Sequence, residues 1–226
     1  MTHSNALIIF AREPKPGKVK TRLLTDLDTG FVTGLYRAFI QDVMTLALRP
    51  GDWSPFLYFA DDDADPPFLS EFRARCPVVP QQGEDLGARM YRAAGDCFAL
   101  GYRRVSIIGT DCLEVTGVDI KQAFADLERT EYCVGPSADG GYYLIGMNVL
   151  RPEPFADIDW GTPTVLSKTL EKVRQIEHNV SLLSEKEDID TIAALLKFRG
   201  HVLAGGVEAA HTAQFIREHQ QYLPDA

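Results

Sequence analysis

The sequence of 226 residues sets 23 lysines and arginines against 32 aspartates and glutamates, a formal charge of −9. That balance argues against a general nucleic-acid binder, whose affinity comes mostly from neutralising phosphates with a basic surface. A hydrophobic share of 45% with 24% charged residues is ordinary for a folded soluble chain, so disordered, collagen-like and membrane classes drop out. The longest apolar runs are far shorter than a membrane span.

The length allows one domain over residues 1–226, burying roughly 70% of its unfolded surface on folding. The start Met1 to Asn5 lacks the basic opening of a secretory signal, and the apolar run Ala6 to Phe10 is too short to be its core. The four cysteines, Cys76, Cys97, Cys112 and Cys133, show neither a CxxC pair nor a disulfide framework. They read as reduced thiols of a cytoplasmic protein. A cysteine nucleophile would best fit Cys112, but no histidine lies near it in sequence.

In chain order, Ala6 to Phe10 is a continuous apolar run ending at Ala11-Arg12, the mark of a strand buried on both faces. Phe31, Leu35, Phe39, Val43 and Leu46 recur at steps of three and four, which predicts an amphipathic helix. Ser54 to Ala60 reads as a second strand stopped by the acidic turn Asp61-Asp62-Asp63, and a short helix follows over Pro66 to Arg75. A longer helix is expected from Asp85 to Leu100, with Leu86, Met90, Ala93, Ala94 and Cys97 on one stripe and Gly101 as its C-cap. Val105 to Gly109, Tyr132 to Gly135 and Tyr142 to Met147 read as strands, and Val118 to Leu127 as a helix. The last third carries predicted helices over 162–176, 191–198 and 207–222 and no second series of buried strands, so residues from about 162 to 226 form a helical C-terminal appendage. Strands alternating with helices define an α/β class: a mostly parallel central sheet flanked by helices, with room for one antiparallel member.

In an open α/β sheet, ligands bind beyond the carboxyl ends of the strands. The first such loop holds five cations, Arg12, Lys15, Lys18, Lys20 and Arg22. Lys18, Lys20 and Arg22 are spaced by two, so an extended backbone would aim all three to one side, where a di- or triphosphate could be neutralised. Pro14 and Pro16 would stiffen this loop, and Gly17 would let the backbone approach an anion. The plainer account is a solvated basic loop. Neither GxxxxGK[ST] nor GxGxxG is present, which disfavours P-loop ATPases and ordinary dinucleotide dehydrogenases.

Asp111, in Gly109-Thr110-Asp111-Cys112, follows a buried strand and suits Mg²⁺ or Mn²⁺, which take oxygen ligands and share their shell with substrate phosphates; turn capping would use the same residue type. Asp139, in the glycine turn before Tyr142, could bind metal, hold a sugar hydroxyl or act as a base, and a simple Asp-Gly turn explains the same letters. Glu187-Asp188-Ile189-Asp190-Thr191 resembles the DxDxT nucleophile motif of haloacid dehalogenases but lacks the buried strand that should precede it, and helix capping accounts for it equally well. There is no GxSxG, and the five histidines show no metal spacing.

Leu7 to Arg12 continuing through Pro16-Gly17-Lys18-Val19-Lys20-Thr21-Arg22-Leu23 resembles the opening motif of a bacterial family of uncharacterised glycosyltransferase-A-like proteins, provisionally labelled nucleotide-diphospho-sugar transferases. Gln82 to Met90, Ile108 to Cys112, Gly135-Pro136 with Asp139 to Gly146, Trp160 with Thr162 and Val165, and Asp188 to Thr191 extend the likeness to about residue 195. The resemblance implies a Rossmann-like nucleotide-diphospho-sugar transferase (GT-A) fold, related to the guanylyltransferases of molybdenum-cofactor and deazaflavin-cofactor synthesis. It assigns nucleotide and phosphate contacts to Ala11, Arg12, Gly17, Lys18, Lys20, Arg22, Gln82 and Asp85, a divalent cation to Asp111 and Asp190, and a catalytic place to Asp139. Leu113 stands where the family pattern usually has proline, and Ala138 where it often has aspartate.

The expected activity is metal-dependent transfer from a nucleotide sugar to a small-molecule acceptor. Transfer of a nucleotidyl group from a nucleoside triphosphate to a phosphorylated acceptor is the alternative, and a nucleotide-binding module without turnover is a third.

Overall fold

A computed structural model of the chain describes residues 4–61, 66–176 and 179–224. Asp62 and Asp63 of the expected acidic turn lie outside these. The elements are β1 (Asn5–Arg12), α1 (Thr29–Ala47), β2 (Ser54–Ala60), β3 (Val78–Pro80), α2 (Leu86–Ala99), β4 (Arg104–Ile108), α3 (Gly117–Asp126), β5 (Tyr132–Pro136), β6 (Tyr142–Met147), α4 (Val165–Ile176), β7 (Val180–Leu182), α5 (Ile192–Leu203) and α6 (Ala210–Glu218). Short 3-10 turns run over Thr21–Thr25, Leu69–Ala74, Glu153–Phe155 and Gln220–Tyr222.

The strands form one sheet in the order β3-β2-β1-β4-β6-β5-β7. All neighbours are parallel except β6, which runs antiparallel to β4 and β5. Side chains alternate across a strand. Leu7, Ile9, Leu57 and Phe59 therefore point into one core and Ala6, Ile8, Phe56 and Tyr58 into the other. The first core is closed by α1, α3, α5 and α6 through Leu35, Phe39, Ile120, Leu195 and Ile216, the second by α2 and α4 through Met90, Cys97 and Val173. Burial on both faces is why these strands read as unbroken apolar runs.

Helix starts follow local chemistry. The Asp28 carboxylate accepts from the N–H groups of Gly30 and Phe31 at 2.7 and 3.2 Å, and Thr116 with Asp119 makes a reciprocal capping box on α3. Gly101 follows α2 with φ +92°, as its expected capping role requires.

Two strands escaped the sequence pattern. β3 and β7 are three residues each and half exposed, too short for a period to show. β7 corrects the expectation of a purely helical C-terminal third: it pairs parallel with β5, from Tyr132–Val180 to Val134–Leu182, and so brings the following segment to the carboxyl edge of the sheet. The expected helix over 207–222 is divided into α6 and a 3-10 turn.

Candidate active site

The sheet order reverses beside β1, with β2 on one flank and β4 on the other, so a crevice opens at their carboxyl ends. Four segments meet there. The β1 loop brings Arg12 to Arg22, and the loop after β4 brings Thr110 and Asp111. β4 and β5 both run antiparallel to β6, so the turn Ser137–Gly141 after β5 reaches the same edge, as does the segment after β7 with Asp188 and Asp190. These segments are tied by the backbone: Ile189 N–H donates to Asp111 O at 2.9 Å, and Ala138 N–H to Lys186 O at 2.9 Å. Tyr36 joins two loops from α1, its hydroxyl 3.0 Å from Thr110 Oγ1 and accepting from Arg12 N–H at 3.2 Å.

The cleft has a volume of about 640 Å³ and is lined by Ala11, Arg12, Asp85, Asp111, Asp139, Asp188 and Asp190 among others. A smaller recess of about 230 Å³ adjoins it, walled by Arg12, Lys18, Lys20, Arg22, Tyr36, Asp111 and Asp190. The residues expected for phosphate and for metal thus share one site.

Their arrangement differs from the extended cation row. Lys20 is left-handed, φ 47° and ψ 45°, and the 3-10 turn starting at Thr21 follows at once. Lys20 is thereby turned inward, its side chain only 4% exposed, with Nζ 2.7 Å from Asp111 Oδ1 and 2.6 Å from Asp190 Oδ1. Burial alone would favour the neutral amine. Attraction by Asp111 and then Asp190, with a hydrogen bond to each, outweighs it and raises the Lys20 pKa above the usual lysine value. Arg22 stays exposed, 3.8 Å from Asp190.

The remaining expected residues fall as follows. Lys15 pairs with Asp61 at 2.6 Å, away from the cleft. Gly17 makes the β1-loop turn at φ +74°, and the buried carboxylate of Glu13 anchors the loop base by accepting from Phe68 and Leu69 N–H. Asp85 lines the cleft while its carboxylate caps α2 through Ala88 N–H at 2.7 Å. Gln81, not Gln82, lines the cleft; its Nε2 donates to Tyr58 O at 3.1 Å, which turns Gln82 outward to solvent. Asp139 Oδ1 accepts from Ser137 Oγ at 2.6 Å and Gly141 N–H at 2.9 Å, fixing an otherwise exposed carboxylate at the cleft mouth.

Asp188 is the site residue that sequence reasoning did not single out. Burial, then repulsion from Asp111 and Asp139, lifts its pKa to about 7 despite the opposing pull of Lys20, and its Oδ1 has no hydrogen-bond partner. The signal was present in the motif: Thr191, not an aspartate, caps α5 through Ala194 N–H at 3.2 Å, which leaves both acids of Asp188-Ile189-Asp190 for the cleft. Cys112 is 4% exposed, and burial with the nearby Asp188 pushes its thiol pKa up, which removes it as a nucleophile. Leu113 is buried in the first core, and Ala138 is exposed.

The donors around Lys20 are carboxylate oxygens, the hard ligand type that Mg²⁺ and Mn²⁺ prefer, and the unpartnered Asp188 oxygen marks a surplus of negative charge there. In the arrangement described, the Lys20 ammonium bridges Asp111 and Asp190, and among the described residues no three acidic, histidine or cysteine side chains converge closely enough to hold a metal ion.

This three-layer sheet with its crevice belongs to the Rossmann-like class of nucleotide-diphospho-sugar transferase and nucleotidyltransferase folds. The chain belongs to the bacterial family described as "Uncharacterized protein conserved in bacteria (DUF2064)", whose model matches residues 44–162. It is 31% identical to a protein of Desulfovibrio desulfuricans G20 provisionally named a nucleotide-diphospho-sugar transferase, over 100% of both chains and with a TM-score of 0.85. A CMP:2-keto-3-deoxy-manno-octonic acid synthetase complexed with CTP shares the fold at TM-score 0.57 and 12% identity, over 89% of this chain and 99% of that one. A cytidylyltransferase of Leptospira borgpetersenii serovar Hardjo-bovis does so at 0.52 and 13%, over 99% and 98%. A comparison with curated proteins gives no match.

Proposed function

We propose that the chain is a transferase whose donor is a nucleotide-activated sugar. The observation that carries this is the meeting, at the carboxyl ends of β1 and β4, of a cationic recess with Asp111, Asp139, Asp188 and Asp190 around one open cleft. Full-length likeness to the Desulfovibrio protein supports it.

In this scheme Arg12, Lys18 and Arg22 neutralise the donor diphosphate by charge-assisted hydrogen bonds, and Lys20 holds Asp111 and Asp190 in place. Charge builds on the departing phosphate during transfer, so fixed cations in a partly dry cleft favour the transition state over the ground state. Mg²⁺ or Mn²⁺ would take Asp111 and Asp190 as its carboxylate ligands only with Lys20 withdrawn from them, and would then supply the same neutralisation. Asp139 orients the acceptor hydroxyl. That oxygen attacks the sugar carbon, the bond to the diphosphate breaks, and the nucleoside diphosphate leaves with the electron pair. Asp188 lines the same cleft, and burial with repulsion from Asp111 and Asp139 pushes its carboxyl up to about 7, which suits it to take the hydroxyl proton near neutral pH.

The test is product release from nucleotide sugars and nucleoside triphosphates, with and without Mn²⁺ or Mg²⁺. Nucleoside diphosphate released from a nucleotide sugar is the expected result. Pyrophosphate from a triphosphate would overturn sugar transfer in favour of nucleotidyl transfer, and no product from any donor would leave a binding module.

A further inference from the structure

Besides its charged residues, the cleft carries an apolar and aromatic surface formed by Leu86, Met90, Tyr142, Trp160 and Val165, with Arg89 beside Leu86 and Met90 on α2. Leu86 opens the α2 stripe yet is 41% exposed, while Met90, Ala93, Ala94 and Cys97 farther along are buried. A large apolar side chain left open inside a ligand cleft is a contact surface awaiting a partner. Tyr142 and Trp160 meet edge to face, with ring centroids 6.4 Å apart and planes at 84°.

Two glycines hold this wall in position. A Cβ on Gly87 would lie 2.8 Å from Trp160 Cζ2 and 2.1 Å from Phe155 O, so the indole edge packs directly on the backbone of α2. Gly140, at φ +89°, would place a Cβ 2.1 Å from Pro163 O, and Leu166 N–H donates to Gly140 O at 2.9 Å. The Trp160–Pro163 loop is thus clamped between α2 and the turn that carries Asp139. Trp160 Nε1 is buried with no hydrogen-bond partner.

We infer that this wall is the acceptor subsite and that the acceptor is an uncharged hydroxylated ring compound, a pyranoside being the simplest kind. The inference rests on the proposed sugar transfer and names its second substrate. The sheet order supplies the direction. β2 and β3 lie on the far flank of β1, where Ala60 and Gln81, at and just after their carboxyl ends, line the cleft and leave room for the nucleoside. Tyr142 begins β6, on the opposite flank and past Asp139. A ring lying on Tyr142 and Trp160 presents its edge hydroxyls toward that carboxylate. The charge supplies the neutrality: Glu84, Asp85, Asp111, Asp139, Asp188 and Asp190 line the cleft against the cations Arg12 and Arg89, so an acceptor bearing its own phosphate would meet net repulsion there.

The experiment is a titration of the full chain with phenyl β-D-glucopyranoside, read by tryptophan fluorescence. The sequence has two tryptophans, and Trp53 is buried in the other core against Phe124. The signal therefore reports Trp160. Saturable change is expected, weakened at least tenfold in Leu86→Asp, an exposed first-turn position where aspartate suits a helix. In parallel, ADP, GDP, CDP and UDP are titrated by calorimetry, and the one that binds should bind Leu86→Asp as it binds the wild type. Displacement of the glucoside by a free nucleoside would make the wall a base site and overturn the inference, as would the absence of any fluorescence change. Glucose 1-phosphate binding as well as the glucoside would overturn the neutrality. Failure of every nucleoside diphosphate to bind would instead sink the donor assignment, which the glucoside titration does not touch.

Discussion

Replacing Lys20 by methionine keeps the side-chain length and the left-handed backbone and removes only the charge. Three acids then face one another with only the exposed Arg22, 3.8 Å from Asp190, left as a nearby cation. The magnitude follows from exposure: the Lys20 side chain is 4% exposed, whereas Asp111 and Asp190 are 45% and 34% exposed. Breaking a fully buried ion pair costs about 3–5 kcal/mol, and breaking a solvated one about 0–1. Water reaching the two carboxylates places this case between them, at about 2 kcal/mol. In a domain of this size 1 kcal/mol moves Tm by about 2–4 °C, so Lys20→Met should lower Tm by about 4–8 °C. Lys18→Met, at an exposed neighbour in the same loop, is the control and should change stability by less than about 0.5 kcal/mol. Thermal unfolding is the assay, repeated with added Mn²⁺, which should stabilise Lys20→Met more than the wild type because the vacated acids then bind the ion in the folded state alone. Equal melting temperatures for the two lysine variants, with equal response to Mn²⁺, would refute the view that Lys20 is the internal counter-ion of the site.

Asp188 adds a pH dependence: its pKa is about 7 in the folded chain against 3.8 ordinarily, so the stability it allows is complete below about pH 4 and is lost as pH rises to about 7. Asp188→Asn should flatten that decline in Tm, and parallel profiles for variant and wild type would place the burden elsewhere. The four thiols, all buried, should react with an aromatic disulfide reagent only on unfolding; rapid labelling of Cys112 in the folded chain would restore it as a candidate nucleophile.

The strand and helix order was legible because β1, β2, β4, β5 and β6 are buried on both faces and α1 and α2 carry long apolar stripes. β3 and β7 were not legible, since edge pairing of three half-exposed residues leaves no period in the sequence. At the site, Arg12, Asp111 and Asp139 could be found from the strand-end rule alone. The inward turn of Lys20 could not: spacing by two suggests an extended strand, and only the pull of acids distant in sequence stabilises a left-handed lysine. Asp188 was hidden for a related reason. An acidic segment before an apolar helical pattern looks like a cap, and its proximity to Asp111 and Lys20 exists only once β7 has paired with β5.

The Lys20–Asp190 contact joins residues 170 positions apart. A chain emerging amino-terminus first therefore presents its basic loop long before the acid that will neutralise it has been made. Until β7 docks, Asp111 is the sole tie for Lys20, and the sheet can be largely formed while the cleft is still chemically incomplete. Completion of the cleft thus reports completion of the fold, and a fragment ending where the matched family segment ends, at residue 162, would hold the sheet from β1 to β6 but no finished charge cluster.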